Sequence, residues 1–379
     1  EFFPHMTARP IFTESRRRPV FAAVALVLVM VAVLLATGCN DEGVVQTQDI
    51  EIVKIQNDGT LAWSKTIDYG NDEEMRDIIE TDDGNFIIAG GSAPRKCTQY
   101  GHRDPPWYVP DPRTSQLIGL SRSGEIMWLQ NYSFNGDGGM ISVFENPDHT
   151  LDAVTKNGEL WHLNPDGSVI MNRSINIARI DSAVKTRDGG YVIVSHHFPY
   201  DNPGSNITRL DPAGTIVWHT WLNKSKFNQI SPVVELPDRG GYLFGASYYD
   251  QKIRGSHIIL VRLNQTGLLQ NITPVADVKQ VTDNNVLRTS SGGYILRYVD
   301  DMHENSSTTL VKISRDGGII ETQSYPDLSS IFIPTNDEGF LSLHFPVFDA
   351  TDRIKKPVEL RKLDKFGTIQ WNNTENKKG

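Results

Sequence analysis

A β-propeller, a set of four-stranded antiparallel sheets stacked side by side around an axis, is the all-β fold this sequence predicts, and three observations predict it. From residue 50 onward a glycine-turned hairpin recurs, with turn glycines at Gly59, Gly124, Gly167, Gly214, Gly267, Gly317 and Gly367, spaced 65, 43, 47, 53, 50 and 50 residues apart. A second kind of hairpin alternates with the first. No stretch beyond residue 50 holds a helical apolar period. A repeat near fifty residues with four strands is the length of one blade, and a lone sheet of that size cannot bury both faces.

The first hairpin reads Ile52-Val-Lys-Ile-Gln-Asn-Asp-Gly-Thr-Leu-Ala-Trp63 and returns as Leu117–Trp128, Leu160–Met171 and Ile207–Trp218, with three later copies around Gly267, Gly317 and Gly367. The second reads Ile78-Ile-Glu-Thr-Asp-Asp-Gly-Asn-Phe-Ile-Ile-Ala-Gly90, and its copies begin at Val143, Val184, Val234, Val286 and Ile333. Asp-Gly or Gly-Gly between alternating apolar runs is a strong hairpin signal because such turns need φ > 0. Thirteen hairpins give about 26 strands. Six repeats are complete and one hairpin is left over, so six blades or seven are expected, with seven, one of them incomplete, fitting better. The expected organisation is a signal segment over 1–38, a linker over 39–49, one propeller over 50–374 and a tail over 375–379. Residues 1–5 precede Met6 and stand outside the fold reading.

The step Gly-x-x-x-Trp recurs at Gly59/Trp63, Gly124/Trp128, Gly214/Trp218 and Gly367/Trp371. It resembles the tryptophan-docking motif of PQQ-like propellers, best in Leu210-Asp211-Pro-Ala-Gly214-Thr-Ile-Val-Trp218 and Leu363-Asp364-Lys-Phe-Gly367-Thr-Ile-Gln-Trp371. The combined repeat is similar to propellers of prokaryotic surface and secreted proteins. The resemblance implies that Trp63, Trp128, Trp218 and Trp371 are structural and close one blade against the next. Three copies lack the Trp, at Met171, Asn271 and the Gly317 hairpin.

The N-terminus supplies an address. Arg16, Arg17 and Arg18 precede an uncharged stretch from Val20 to Gly38. Nineteen residues at about 1.5 Å each just span a bilayer, and the basic flank keeps the cytoplasmic side. The predicted segment is a signal or anchor helix. It ends in Leu35-Ala-Thr-Gly-Cys39, which resembles the lipobox of prokaryotic lipoproteins, although that family prefers Leu where Ala36 stands. The resemblance implies lipidation of Cys39; the alternative is an uncleaved anchor helix. In both cases the body is exported and held at the outer face of the cytoplasmic membrane, or cell surface. Eight Asn-x-Ser/Thr sequons, at Asn131, Asn172, Asn206, Asn223, Asn264, Asn271, Asn305 and Asn372, exceed the roughly three expected by chance. They fit an N-glycosylated surface protein, which among prokaryotic lipoproteins points to an archaeal source. The other explanation is that Asn, Ser and Thr crowd into β-turns.

The chain has 379 residues with 39% hydrophobic and 22% charged side chains, an ordinary globular composition. Net charge is −9, which argues against nucleic acid as the main partner because phosphate binding needs Lys and Arg. Two cysteines make neither a disulfide scaffold nor a Cys-based zinc site. No Gly-x-Ser-x-Gly, P-loop or His-Glu-x-x-His is present. His196-His197 lie on neighbouring strand positions, which point to opposite faces and rarely share an ion. The Asp-rich turns at Asp58, Asp82, Asp83 and Asp188 are explained by turn chemistry without calcium. No metal, cofactor or catalytic residue is assigned.

The loop over 93–116 departs most from the repeat and carries Cys97, Tyr100, His102, Arg103, Asp104, Trp107 and Tyr108. Aromatic side chains with Arg suit a protein or glycan contact. A proline-braced insertion packed on its own blade is the structural alternative. The expected function is therefore a monomeric, non-catalytic, lipid-anchored surface propeller that binds a protein or glycan through face loops. The alternatives are an envelope-assembly scaffold, similar to the propeller lipoprotein of the bacterial outer-membrane assembly machine, and an exported hydrolase, lyase or quinoprotein with its site at the channel.

Overall fold

The computed structural model describes residues 32–37, 46–55, 60–69, 72–93, 114–133, 139–197, 204–223, 227, 229–237, 240–289, 291–300, 307–326, 330–334, 339–344, 347–348, 354–356, 359–364 and 368–374. The described chain is all strand and turn, and it forms seven successive antiparallel sheets. Blade one holds β1 (Ala32–Thr37), β2 (Gln46–Ile55) and β3 (Leu61–Ile67). Blade two holds β4 (Asp72–Glu80), β5 (Phe86–Ala93), β6 (Thr114–Leu120) and β7 (Ile126–Ser133). Blade three holds β8 (Met140–Glu145), β9 (Leu151–Thr155), β10 (Glu159–Leu163) and β11 (Val169–Ser174). Blade four holds β12 (Ile180–Lys185), β13 (Tyr191–His197), β14 (Gly204–Leu210) and β15 (Ile216–Asn223).

In blade five the first strand is broken into β16 (Gln229–Ile230) and β17 (Val234–Glu235), both paired with β18 (Tyr242–Asp250), and β19 (Gly255–Leu263) and β20 (Leu269–Val278) follow. Blade six holds β21 (Val281–Arg288), β22 (Tyr294–Asp300), β23 (Ser307–Ile313) and β24 (Ile319–Pro326). Blade seven holds β25 (Ser330–Pro334), β26 (Phe340–His344), β29 (Glu359–Leu363) and β30 (Ile369–Thr374), with a small hairpin of β27 (Val347–Phe348) and β28 (Ile354–Lys356) inserted after its second strand. Seven sheets with an incomplete first one is the expected count.

One expectation fails at the N-terminus. Ala32–Thr37, the end of the apolar stretch read as a helix, is strand β1 paired antiparallel to β2. The leftover hairpin β2–β3 presents a row of free backbone N–H and C=O groups on its inner edge, and an extended apolar segment in water satisfies its own backbone there. Residues 1–31 and Cys39 lie outside the described residues. No helix among the described residues is long and apolar enough to cross a membrane.

Why these sequences make sheets buried on both faces is visible in the second strand of each blade. Along β5, Phe86 and Ile88 pack with Ile52 and Ile67 of blade one, while Ile87 and Ala89 pack with Met140, Val143 and Leu151 of blade three. Along β13, Tyr191 and Ile193 face blade three and Val192 and Val194 face blade five. Successive side chains point to opposite faces, so a strand sandwiched between two sheets reads as an unbroken apolar run. Further clusters join blades five and six and blades six and seven.

The five-residue turns share one construction. In 121–125, Ser121 N donates to Glu125 O and Gly124 N to Ser121 O; in 81–85, Thr81 N donates to Asn85 O and Gly84 N to Thr81 O. This is a tight turn followed by one residue in the left-handed region, occupied by Gly84 at φ 79° and Gly124 at φ 83°. The preceding Asp locks it: Asp83 accepts from Thr81 Oγ1 at 2.5 Å and Asp166 from Ser168 Oγ at 2.6 Å. His149, at φ 65°, fills the glycine position in the turn 146–150.

Two of the tryptophan steps, at Trp63 and Trp218, reach the following blade. Trp63 Nε1 donates to Arg122 O at 2.9 Å and Trp218 Nε1 to Gln265 O at 2.8 Å, each reaching the turn of the following blade. The indole lies on that turn's glycine. A Cβ built on Gly124 would fall 2.7 Å from Trp63, and one on Gly267 would fall 2.5 Å from Trp218. The same indoles pack edge-on to the aromatic residue of the next blade's second hairpin, Trp63 to Phe86 at 5.8 Å and Trp218 to Tyr242 at 5.5 Å between centroids. In two of the three blades that lack the Trp, an arginine reaches over: Arg173 on β11 lies against Gly214 and donates to Pro212 O, and Arg262 on β19 donates to Asp316 O.

Trp218→Ala is expected to cost about 3 kcal/mol and Trp218→Phe about 1 kcal/mol, from the lost packing and the lost hydrogen bond respectively. Gly267→Ala is expected to cost more than Gly189→Ala. Both glycines have positive φ, but at Gly189 a Cβ meets nothing nearer than 3.6 Å. Urea midpoints of the four variants check the ordering.

Candidate functional site

A meander of four antiparallel strands sends its first and third turns to one end and its second turn, together with the link to the next blade, to the other. The two ends of this protein differ. At the first end, the turns 81–85, 121–125, 146–150, 164–168, 186–190, 211–215, 264–268, 289–293, 314–318 and 364–368 all have five residues, and 236–241 has six. At the second end, the connections between second and third strands hold 20, 3, 6, 4, 6 and 14 residues in blades two to seven. Variation confined to one end of a rigid scaffold marks the face that carries function. The 20-residue connection, 94–113, is the part of the expected binding loop between β5 and β6. Tyr100, His102, Arg103, Asp104, Trp107 and Tyr108 lie outside the described residues, as do Cys97 and Asn305.

Polar clusters at the first end, whose turns are even in length (the even-turn end), belong to the joints between blades. Asp152 on β9 is buried and accepts from Tyr191 OH at 2.6 Å and Lys185 Nζ at 2.7 Å, and it meets His162 Nδ1 at 2.8 Å. Burial pushes its carboxyl up, but the bonds from Lys185, Tyr191 and His162 outweigh that and hold it below the usual range. Burial, then Asp152 itself, raises the Tyr191 phenol. One blade further on, Arg209 forks onto Asp188 at 2.5 and 2.6 Å and donates to Tyr242 OH at 3.2 Å. The three potential metal ligands Asp82, Glu145 and His149 converge within 4.8 Å. Glu145 takes the backbone N–H of Asp82 at 2.7 Å, and Glu235 takes that of Arg187 at 2.9 Å at the next-but-one joint. A carboxylate that clasps the preceding blade's turn at two joints is a fastening, and His149 pairs with it at 2.9 Å.

At the loop end the structure assembles a group that sequence reading passed over. Tyr248, His257 and Asp277 are cross-strand neighbours on β18, β19 and β20. His257 lies between Asp277, 2.5 Å from Nδ1, and Asp250, 3.3 Å from Nε2, with the Tyr248 ring 4.6 Å away. The bond to Asp250, then that to Asp277, raises the imidazole's pKa. Held between two carboxylates, this ring favours its charged form and serves as a donor rather than a base. No spacing in the sequence announces it, because its members meet only through strand register. His196 pairs with Asp181, while the side chain of His197 is not among those described. Three buried oxygens in blade six, Asn284 Oδ1, Asn285 Oδ1 and Thr308 Oγ1, have no hydrogen-bond partner, which is the kind of place internal water fills.

The structural tryptophans Trp63, Trp128 and Trp218 stand at blade joints, and Trp371 stands at the corresponding position of β30, opposite Lys362. The sequons divide. Asn131, Asn172, Asn223, Asn271 and Asn372 are exposed on the last strand of their blades, whereas Asn206 is half-buried on β14 and Asn264 sits in a turn.

No protein-family model matches the chain, and no curated protein matches it. Among solved structures it is similar to a protein of unknown function from Bacteroides caccae, at 14% identity and a TM-score of 0.46 over 79% of this chain and 93% of that one. It is also similar to BamB from Moraxella catarrhalis, at 11% identity and 0.40 over 91% and 98%. A third is the dihydro-heme d1 dehydrogenase NirN, at 12% identity and 0.49 over 90% and 67%. Likenesses this remote carry no statement about activity, and the fold description rests on the sheets themselves.

A buried carboxyl gives a pH signature. Asp77 on β4 accepts from Val143 N of the next blade at 2.9 Å and from Ile78 N at 2.9 Å. Burial nevertheless pushes it up to about 6. A folded-state value above the unfolded one stabilises at low pH, and that contribution is lost as pH rises from about 4 through about 6, roughly 3 kcal/mol in all. Asp77→Asn is expected to gain stability relative to the parent protein at pH 7.5 compared with pH 4.5. Urea unfolding at the two pH values checks the sign.

Proposed function

We propose that this protein is a non-catalytic, lipid-anchored propeller at the cell surface that holds a protein or glycan partner with the loops at its variable end. The observation that carries the reading is the asymmetry between the ends. One end is spent on turns of nearly constant length that fasten blade to blade, and the other carries connections of 3 to 20 residues. The aromatic and arginine content of the 94–113 connection suits contact area gained at low entropic cost. The polar clusters at the even-turn end are used in joining blades, which leaves them no role toward a substrate. Basic residues before the apolar stretch and Leu35-Ala-Thr-Gly-Cys39 support export and attachment through Cys39. An envelope-assembly scaffold is a special case of the same reading, with a neighbouring envelope protein as the partner. The enzyme alternative gains from His257 and its carboxylates at the loop end, yet an imidazole with a carboxylate at each nitrogen has neither nitrogen open toward a substrate.

Two measurements test the proposal. The mature N-terminus, read by mass spectrometry from solubilised membranes, is expected at Cys39 with the added mass of a lipid, a cleavage that removes β1 and leaves blade one as the hairpin β2–β3; an intact leader overturns lipidation. Replacing residues 97–112 with a short Gly-Ser linker is expected to weaken partner retention by about tenfold or more, near 1.4 kcal/mol, at an unchanged melting temperature. Retention that survives this change but fails when the even-turn end is altered overturns the assignment of the face.

A further inference from the structure

The outermost strands carry two features that the blade architecture does not require. In the six complete blades these strands are β7, β11, β15, β20, β24 and β30, each the last in its sheet, with one edge unpaired. Such edges invite pairing with other chains, and natural proteins cover or blunt them. Sixteen large apolar side chains stand exposed among the described residues; twelve lie on these six strands, and a thirteenth, Leu268, directly precedes one. Val217 is 59% exposed, Ile320 61% and Leu268 66%. The result is an apolar belt along the rim of a protein that otherwise buries its hydrophobic residues between sheets.

The second feature is the placement of the sequons. The six strands hold 46 of the 379 residues, so roughly one sequon in eight would fall there by chance. Five do, one on each strand except β24, and every one of these Asn side chains is exposed. Two adjoin the belt, Asn172 following Val169, Ile170 and Met171, and Asn271 sitting between Leu269 and Ile272; Asn372, Asn131 and Asn223 lie three, four and six residues beyond Ile369, Met127 and Val217 on the same strands. On an extended strand, residues two apart share a face, which brings the sequon hydroxyl beside the amide. Asn271 Nδ2 donates to Thr273 Oγ1 at 3.0 Å. Gln116 Nε2 donates to Asn131 Oδ1 at 2.9 Å and holds that amide by its oxygen.

The excluded sequons differ physically. Asn264 Oδ1 accepts from Thr266 N, Thr266 Oγ1 and Leu268 N, all within 2.9 Å, so both ends of that sequon are locked inside a turn. Asn206 is half-buried on β14, between β13 and β15.

We infer that Asn131, Asn172, Asn223, Asn271 and Asn372 carry N-linked glycans that shield the apolar belt and the open edges of the outermost strands, while Asn206 and Asn264 stay unmodified. This rests on the exported location proposed above. The co-reactant is a polyprenyl-phosphate- or pyrophosphate-linked oligosaccharide supplied by the exporting cell. Asn Nδ2 forms a bond to the anomeric carbon, the bond from that carbon to the phosphate oxygen breaks, the lipid phosphate leaves with the electron pair, and the amide gives up one proton. The rim of blade six, with Ile319 and Ile320, is left without a glycan.

The test is glycopeptide mass spectrometry on the full-length protein purified from the membranes of the cell that makes it. Sugar mass at the five rim asparagines and bare amides at Asn206 and Asn264 is the expected result. Bare amides at all five in protein recovered from the cell surface overturn this inference and leave the proposed function standing. Modification of Asn264 as extensive as that of the five overturns the selection by position. Protein found in the cytosol overturns both readings together. A variant with all five changed Asn→Gln is expected to keep its strand circular dichroism, to bind several-fold more of an apolar dye and to elute as larger assemblies. An unchanged dye signal and elution volume overturn the shielding role.

Discussion

The interaction on which the rest of this structure depends is the seat that one blade's outermost strand takes on the glycine turn of the next. A four-stranded sheet has two apolar faces and no means of covering either alone. Side-by-side stacking covers both, but stacked sheets slide unless something fixes their register. The indoles of Trp63 and Trp218 do this from three directions at once: the ring face rests on a turn glycine, the N–H reaches a turn carbonyl, and the ring edge meets an aromatic residue of the following sheet. The glycine therefore answers two demands, the left-handed backbone of its own turn and the thickness of its neighbour's indole. Blades three and five, which lack the Trp, keep the connection through Arg173 and Arg262.

This fastening explains why the two ends of the molecule are so different. Turns that receive a neighbour's side chain cannot lengthen without losing the seat, and at that end all lengths are five or six residues. The carboxylates there are drawn into the same joints, Asp152 with Lys185 and Tyr191, Glu145 with the backbone of Asp82 and Glu235 with that of Arg187. The opposite end bears no such constraint, and insertions accumulate there. The proposed partner face is that end, because it is the one the joints between sheets leave free to vary.

The rim is where the architecture leaves a debt to solvent. Outermost strands have one paired edge and one open edge, and here their first residues are apolar because they follow the docking turn and flank the docked side chain. A large, hydrated, covalently attached group near those residues is a direct way to keep such a surface apart from other chains. The proposed export brings that chemistry within reach, and the five rim asparagines are exposed.

Much of this was legible in the residues. The turn glycines, the alternation of two hairpin kinds and the recurring Trp determined an all-β propeller of six or seven sheets, because turn conformation and strand alternation are local and repeat with the chain; the tertiary structure decided seven, with the short sheet first. The sequence also determined which aromatics lock the blades, since Gly and Trp four residues apart recur at a fixed place in the hairpin. Other features were decided only by tertiary structure. Asp152, His162, Lys185 and Tyr191 come from two blades, and Asp250, His257 and Asp277 from three strands, so no spacing could bring them together on paper. The eight sequons looked alike in a line of letters; strand order divided them into five on exposed rims, one in an inner strand and one locked in a turn, with Asn305 outside the described residues. The end of the N-terminal apolar stretch, Ala32–Thr37, became a strand because β2 offered an open edge. Local conformation is written residue by residue, whereas proximity across blades depends on the closure of many sheets at once.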